Sequence, residues 1–190
     1  MPRSEEKFKE LREQKRIIIM DAALELFAEK GFASTSISMI AKHAKISKGL
    51  MYNYFDSKEE LIISIVHDGF DKFLREFDAN KDSVLTDDEF EYFIDKTFEV
   101  LRNNLHFWKL YFMVIAQPQV LKLVDKKLME LVIPFITVLS EYFAAKGCKN
   151  PMAHAQLFGA MLDGVSLNYM IDPDNFPIEE IKQIIKTKFI

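Results

Sequence analysis

Apolar residues recur at spacings of three and four along most of the chain, which is the period of an amphipathic helix. The stretch "IIIMDAALELFAEKG" places Ile19, Ala23 and Phe27 on one helical face and ends at Gly31, a typical helix stop. The pattern therefore predicts a first helix over residues 9–30.

The rest of the chain keeps this period between short polar or proline-containing stretches. Ser57 and Glu60 have the S-x-x-E spacing of a capping box, so a long helix is predicted from Ser57 to about residue 79. The sequence contains no convincing strand pattern, and we predict an all-α fold of about nine helices. The other predicted helices span 36–44, 47–55, 87–102, 104–116, 119–146, 151–171 and 177–189.

The predicted helices fall into two domains. Residues 1–56 form an N-terminal three-helix domain, and residues 57–190 form a larger helical bundle. The helix that begins at Ser57 joins the two without a flexible linker. Hydrophobic residues make up 49% of the chain, which is ample for packed cores, and the six Gly and six Pro argue against a turn-rich β fold.

Residues 36–55 have the pattern of a helix-turn-helix. Ile40 and Met51 supply apolar contacts between two crossing helices, and the small Ala41 stands where the helices would approach closely. Ser47 can cap the second helix by accepting a hydrogen bond from an amide of its first turn.

This segment differs in charge from the acidic chain around it. The 190 residues carry a formal net charge of -4, yet residues 35–55 contain three lysines and no carboxylate. The outward side of the second helix would present Lys48, Gly49, Tyr52 and Asn53. We interpret this as a local basic face for nucleic acid. An ordinary solvated helical hairpin is the alternative, and the hairpin pattern alone does not separate the two.

The segment "GFASTSISMIAKHAKISKGLMYNYFDSKEELI" resembles the signature of the TetR family of bacterial transcriptional regulators. The order and spacing of many residues agree over about residues 10–62, including Gly31-Phe32, Tyr54-Phe55 and Lys58. Further on, "MLDGVSLNYMIDPDNFPIEEI" is similar to the family's penultimate helix and the turn into its last helix. Residues 63–150 match only in helical character.

The resemblance implies an all-α homodimer in which each subunit inserts the Ser47–Phe55 helix into the major groove of a palindromic operator in double-stranded DNA. By position in the motif, the residues expected to hold phosphates are Thr35, Ser36, Tyr52 and Lys58. Those expected to face bases or nearby backbone are Lys48, Gly49, Leu50 and Asn53, and the predicted DNA-binding set also includes Lys45 and Ser47.

Lys45 is the position that departs from the family pattern, because the turn usually has glycine there. A side chain at a positive φ carries a modest conformational cost, since the left-handed region favours glycine. Lys45 also adds a cation near the DNA. The departure leaves the predicted fold intact and bears on operator preference.

The chain after residue 60 is rich in aromatic residues, with 13 of the 17 phenylalanines and Trp108. Apolar pockets between bundle helices often bind small molecules, although core packing explains any single aromatic residue. The resemblance favours a small, largely apolar effector. The candidate ligand-binding residues are Phe73, His106, Trp108, Tyr111, Phe112 and Asn168.

The predicted helix at 151–171 carries an apolar stripe with glycines that permit close approach of another helix. Packing within the chain is one interpretation of this stripe. The resemblance favours the other, a dimer interface built from two helices of each subunit. The candidate interface residues are Leu157, Met161, Gly164, Val165 and Asn168.

The polar stretch "DANKDSVLTDDEF" has part of the spacing of a calcium-binding loop. Ser83 stands at the sixth position, where the sharp turn requires glycine, and the chain has no second copy to pair with it. A solvated loop that caps the next helix is the favoured interpretation, and no metal site is predicted. The candidate calcium ligands of the rejected interpretation are Asp78, Asn80, Asp82, Thr86 and Glu89.

The sequence shows no nucleophile–base pair, paired carboxylates or Cys/His cluster with zinc spacing, so we expect neither an enzyme nor a cofactor. The single cysteine, the charged N-terminus and the short apolar runs fit a cytoplasmic protein without a membrane partner. The predicted function is a dimeric DNA-binding transcriptional regulator, a repressor released by its effector. The alternative is a helical small-molecule or calcium-binding protein without DNA function.

Overall fold

The computed structural model of the protein describes residues 2–74, 77, 82 and 84–190. The predicted all-α fold class is confirmed. Over this part of the chain there are nine helices and no strand: α1 (Pro2–Lys30), α2 (Ile37–His43), α3 (Lys48–Tyr52), α4 (Lys58–Leu74), α5 (Asp87–Asn103), α6 (Leu105–Ile115), α7 (Pro118–Ala145), α8 (Pro151–Ile171) and α9 (Ile178–Phe189).

Most predicted helix boundaries agree with the structure, and the differences lie at the start of α1 and the end of α3. α1 begins at Pro2 rather than near residue 9, because the charged residues ahead of the apolar pattern are good helix formers. α3 ends at Tyr52, since the following amides bond to nearer carbonyls, with Tyr54 N–H donating to the Met51 carbonyl. The predicted end of α4 near residue 79 lies outside the described residues.

The packing groups the chain into two compact units. The first unit comprises the residues through Asp68 together with Leu110–Lys127, and the second comprises Gly69–Lys109 and Leu128–Ile190. The predicted domain division at residue 56 is a statement about function and stays a prediction. By packing, the first unit contains the three N-terminal helices together with the first part of α4, the end of α6 and the first part of α7.

The core of the first unit forms from apolar side chains of α1 to α4. Burying a side chain of this size contributes about 1.5–3 kcal/mol relative to leaving it exposed. These contacts hold the two short helices, which are too short to be stable alone. The members with no solvent exposure include Ile19, Phe27, Ile40, Met51 and Leu61.

Aromatic contacts dominate the core of the second unit. The ring of Phe90 on α5 lies 5.0 Å from the ring of Tyr142 on α7 and 4.8 Å from that of Phe158 on α8. Ion pairs join α9 to α5, where Lys186 Nζ lies 2.8 Å from Asp95 Oδ2. The aromatic residues noted in the sequence therefore serve in large part as core packing.

α7 is, among the described helices, the one that is long and apolar enough to cross a membrane by length and composition. Helices of soluble helical bundles pass the same test. The apolar part of α7, residues 128–145, contains two charged side chains, Glu130 and Glu141, and each would be unfavourable in a hydrocarbon layer.

Candidate nucleic-acid interface

α2 and α3 form the predicted helix-turn-helix, and each is capped by a serine. Ser36 accepts a hydrogen bond from Met39 N–H on its side-chain oxygen, and Ser47 accepts one from Leu50 N–H at 3.0 Å. Each cap satisfies one of the amides that have no partner at a helix start. The capping role predicted for Ser47 is confirmed.

The turn between the two helices contains Lys45 in the left-handed region, with φ of 55°. Its amide donates to the Lys42 carbonyl, and the amide of Ile46 donates to the Ala41 carbonyl at 2.9 Å. These bonds define the chain reversal. The positive φ that the sequence analysis considered is therefore present, with a side chain where glycine would be unstrained.

Most of the predicted DNA-binding residues are exposed to solvent. Met51 alone within α3 is fully buried and anchors the helix. Around Gly49 there is open space, since an added Cβ would meet no atom within 4 Å, so the fold does not require glycine at this position. The exposed members of the predicted set are Ser36, Lys45, Ser47, Lys48, Gly49, Leu50, Tyr52 and Asn53.

Thr35 does not belong to that surface. Its side chain is 2% exposed, and its hydroxyl lies 2.9 Å from the Gly31 carbonyl and 3.2 Å from the Leu26 carbonyl. The expectation that this side chain holds a phosphate is therefore corrected. Its role in the structure is to close the turn between α1 and α2, since a hydroxyl can satisfy carbonyls that the helix end leaves unpaired.

Lys58 is partly buried at the start of α4 and bonds to the same turn. Its ammonium donates to the Phe32 carbonyl at 2.8 Å and to the Thr35 carbonyl at 3.0 Å, and it lies 4.3 Å from the centre of the Phe32 ring. The turn therefore carries a positive charge close to the helix-turn-helix. The phosphate contact predicted for Lys58 stays a prediction.

Arg12 of α1 supports the end of α3, and Arg16 ties α1 to α4. Arg12 donates to the Asn53 carbonyl at 3.1 Å, and Arg16 donates to Asp68 Oδ2 at 2.7 Å. The hydrogen bond to Asp68 raises the pKa of the Arg16 guanidinium. Neither arginine was predicted to have a role. Their spacing of one helical turn on α1 is visible in the sequence, but their partners are not.

Gln117, in the turn between α6 and α7, is a second contact that sequence reasoning missed. Its Nε2 donates to the Phe27 carbonyl at 2.9 Å, and its Oε1 accepts from Phe32 N–H at 2.9 Å. Phe27 lies in the last turn of α1, and Phe32 lies in the turn that follows. A separation of 85 to 90 residues leaves no local signal for this contact in the sequence.

The six predicted ligand-binding residues do not form one group. Phe73 and Trp108 meet in the second unit with ring centres 4.2 Å apart. Tyr111 and Phe112 belong to the first unit, where the buried Tyr111 hydroxyl donates to the Val66 carbonyl and burial raises the pKa of Tyr111. The remaining two, His106 and Asn168, are exposed on the surface of the second unit.

The second unit contains a further set of aromatic contacts besides the Phe73–Trp108 pair. Phe77 lies 4.9 Å from Phe93 and 4.4 Å from Phe135, measured between ring centres. Thr97 follows Phe93 by one helical turn on the buried face of α5 and is 3% exposed, and its hydroxyl is the buried side-chain polar atom without a hydrogen-bond partner among the described residues. We call Phe73, Phe77, Phe93, Trp108, Phe135 and Thr97 the aromatic cluster.

The predicted dimer stripe lies on α8, whose apolar residues are not confined to its buried side. Leu157 is 59% exposed and Ile171 is 73% exposed. Gly164 has no atom within 4 Å of an added Cβ, which leaves room for another helix. Met161 and Val165 are half-buried at the margin, and the Asn168 side chain donates to the Gly164 carbonyl.

The calcium interpretation finds no support in the described part of the loop. Glu89, its proposed last ligand, accepts hydrogen bonds from the amide and hydroxyl of Thr86, and Thr86 accepts from Glu89 N–H. This is the capping box of α5, as the favoured interpretation expects. Asp82 accepts from Val84 N–H, while Asp78 and Asn80 lie outside the described residues.

Comparison with known proteins adds to this geometry. The sequence model described as bacterial regulatory proteins, tetR family, matches residues 19–65. The HTH-type transcriptional regulator YuxN of Bacillus subtilis (strain 168) is 51% identical over 59 residues, which are 31% of this chain and 20% of YuxN. The fatty acid metabolism regulator protein of the same organism is 31% identical over 87 residues, which are 45% of each chain. The matches thus span less than half of either relative.

One solved structure extends the likeness over most of the chain. The transcriptional regulator FadR from Bacillus subtilis, in complex with stearoyl-CoA, covers 92% of this chain and 97% of its own with a TM-score of 0.71 and 19% identity. At this identity the likeness is one of fold. Since it covers 92% of this chain, it includes most of residues 63–150, for which the sequence resemblance consisted of helical character alone.

Proposed function

We propose that the chain is a member of the TetR family of bacterial regulatory proteins and acts as a dimeric, sequence-specific transcriptional regulator, a repressor that leaves a palindromic operator when a small, largely apolar effector binds. The family-model match over residues 19–65 and the likeness in fold to FadR support this proposal. Members of this family are DNA-binding regulators and not enzymes. The observation that carries the proposal is the exposed, carboxylate-free surface of α2 and α3, held in a helix-turn-helix by two serine caps.

The recognition surface supplies two kinds of contact. Lys45, Lys48 and the hydroxyl of Tyr52 suit phosphates, which position a protein on the duplex without reading its sequence. Leu50 and Asn53 suit base edges, since an apolar side chain can touch a thymine methyl and an amide can pair with adenine. Gly49 lets the backbone of α3 approach the DNA.

The exposed apolar stripe of α8 supports dimerisation through α8 and α9, since exposed apolar surface often marks association sites. On α9, Ile184 is also 54% exposed. A symmetric dimer would set its two recognition helices about one turn of DNA apart, ~34 Å. That spacing makes a palindromic operator the matching site.

The aromatic cluster supports an apolar effector. Its rings offer flat apolar surface, and the buried Thr97 hydroxyl is able to bond a polar group of a ligand. A buried hydroxyl without a partner carries a penalty of about 1–3 kcal/mol, which a ligand oxygen at this position would relieve. The likeness in fold to a regulator that binds stearoyl-CoA makes long apolar acyl compounds the first class to try.

Lys48→Ala tests the DNA-binding role. The variant should weaken duplex binding about fivefold to tenfold and lower the slope of log affinity against log salt by about 1, because one phosphate contact is lost. Lys126→Ala, an exposed lysine of α7, is the control and should leave both unchanged. Equal binding by both variants at every salt concentration would remove Lys48 from the interface.

Thr97→Val tests the effector site. Valine has nearly the shape of threonine without the hydroxyl, so the ligand-free protein should gain about 1 kcal/mol in its free energy of unfolding. Release of the operator by stearoyl-CoA should require about tenfold more compound if Thr97 bonds it. Operator affinity that stays the same at saturating concentrations of a panel of acyl and aromatic compounds would contradict effector control.

A further inference from the structure

Gln117 links two turns that are far apart in the sequence. Its side-chain amide lies against the turn from α1 to α2, and its backbone lies between Ile115, the last residue of α6, and Pro118, the first residue of α7. Both hydrogen bonds are 2.9 Å long, one donated and one accepted. The contact lies wholly within the first unit.

The chemistry of this contact fits glutamine specifically. Gly31, with φ of 83°, ends α1 and donates its amide to the Phe27 carbonyl. In a Schellman turn the Phe32 amide, instead of the Gly31 amide, would bond to the Phe27 carbonyl. Here the carboxamide of Gln117 stands between them, accepting from Phe32 N–H and donating to the Phe27 carbonyl. A carboxylate or an apolar side chain can make at most one of these bonds.

The same turn is bound from a second side by Lys58 at the start of α4, which donates to the Phe32 and Thr35 carbonyls. Thr35 in turn bonds to the Gly31 and Leu26 carbonyls and lies two residues before α2. The position of α2, and with it α3, thus depends on a turn fixed by one side chain from α4 and one from the α6–α7 turn.

We propose that Gln117 is a positioning residue for operator recognition, a link between the helix-turn-helix and α6–α7 that acts beside the connection through α4. The inference rests on the proposed function. Gln117 therefore helps to hold α2 and α3 in the position at which they meet a half-site, and its loss relaxes the discrimination between half-site sequences.

Gln117→Met in the full-length protein tests the link, because methionine keeps the length of the side chain and removes both bonds. Gln119→Met, an exposed position two residues later, is the matched control. The first readout is amide hydrogen exchange of the free protein. Peptides covering residues 31–35 should exchange about tenfold faster in Gln117→Met, because one net hydrogen bond is worth about 1 kcal/mol. Unchanged exchange there would overturn the proposal whatever the DNA result.

The second readout is affinity for the selected inverted repeat and for repeats with one base pair replaced in each half-site. The wild type should discriminate among these repeats about 100-fold, and Gln117→Met about tenfold or less, because the recognition helix is held less firmly. The ratio is independent of the folded fraction, so a loss of stability alone would leave it unchanged. An unaltered ratio would overturn the proposal.

If Gln117→Met does not fold, Gln117→Glu provides a second test of the same contact. It retains the acceptor for Phe32 N–H and places a carboxylate oxygen against the Phe27 carbonyl, so it should show the same two changes. If no inverted repeat is bound by the wild type, the proposed function fails. The exchange readout then still decides whether Gln117 holds the turn.

Discussion

At the scale of single residues, Lys45 combines a conformational cost with a charge at the interface. Its left-handed backbone is about 1 kcal/mol less favourable for a residue with a Cβ than for glycine. Its exposed ammonium stands beside the recognition helix. The backbone cost lowers the stability of the fold, whereas the charge affects DNA binding, so the two can be measured separately.

Lys45→Gly should therefore raise the free energy of unfolding by up to about 1 kcal/mol and weaken DNA binding about threefold to tenfold, because the strain and the cation are removed together. Chemical denaturation and salt-dependent duplex binding measure the two effects. Lys45→Asn, which tolerates the left-handed region but carries no charge, should match glycine in binding. Tighter binding by Lys45→Gly would show that the cation plays no part.

The roles of some single residues could be predicted from the sequence, and the roles of others could not. The cap by Ser47 and the outward residues of α3 follow from local spacing, which is why they could be predicted from the sequence. Thr35 precedes α2, which is why the sequence predicted a phosphate contact there. In the structure its hydroxyl bonds to the Gly31 and Leu26 carbonyls. Gln117 and Thr97 could not be found, because their environments are made by residues distant in sequence.

At the scale of elements, helix ends hold the second unit together. The first residue of α5, Asp87, accepts a hydrogen bond from Lys146 at 2.7 Å and from the Tyr142 hydroxyl at 2.8 Å. The bond from Lys146, followed by that from Tyr142, lowers the pKa of Asp87 below its ordinary value of 3.8. The start of α5 is thereby tied to the end of α7.

Because the pKa of Asp87 is lower in the folded state, its contribution to stability is present above pH 3.8 and is lost as the pH falls through the depressed value. Asp87→Asn should lower the melting temperature near neutral pH, and its difference from wild type should shrink in acid. Thermal melts followed by circular dichroism between about pH 6 and pH 2 measure this. Asp88→Asn, one residue later, is the control, and a pH-independent difference for Asp87→Asn would contradict the ion-pair explanation.

Elements were the most predictable level of the fold. Helix positions followed from the three- and four-residue period, and Pro and Gly marked most of their ends. The start of α1 was missed because its first residues are charged on all sides and have no apolar period. The grouping of the end of α6 and the first part of α7 with the N-terminal helices was not predictable, since it depends on long-range contacts.

At the scale of the whole molecule, α8 exposes large apolar side chains such as Leu157 and Ile171. A partner subunit packed on this face would bury them. Leu157→Glu should dissociate the proposed dimer, because a buried unpaired carboxylate is unfavourable at an apolar interface. Sedimentation should show monomers at micromolar concentration, and operator affinity should fall at least 100-fold, since two half-sites are no longer bound together. Val84→Glu, at another exposed apolar position, should remain dimeric. A dimeric Leu157→Glu would move the interface elsewhere.

The central claim is that this chain reads DNA as a symmetric dimer, and selection of duplexes from a random pool tests it most directly. Purified full-length protein should enrich an inverted repeat whose half-site centres lie about one helical turn apart at near-physiological salt, and Lys48→Ala should enrich it less. Enrichment of a single half-site would contradict the dimer, and no enrichment of any sequence by ligand-free protein would contradict the regulator itself.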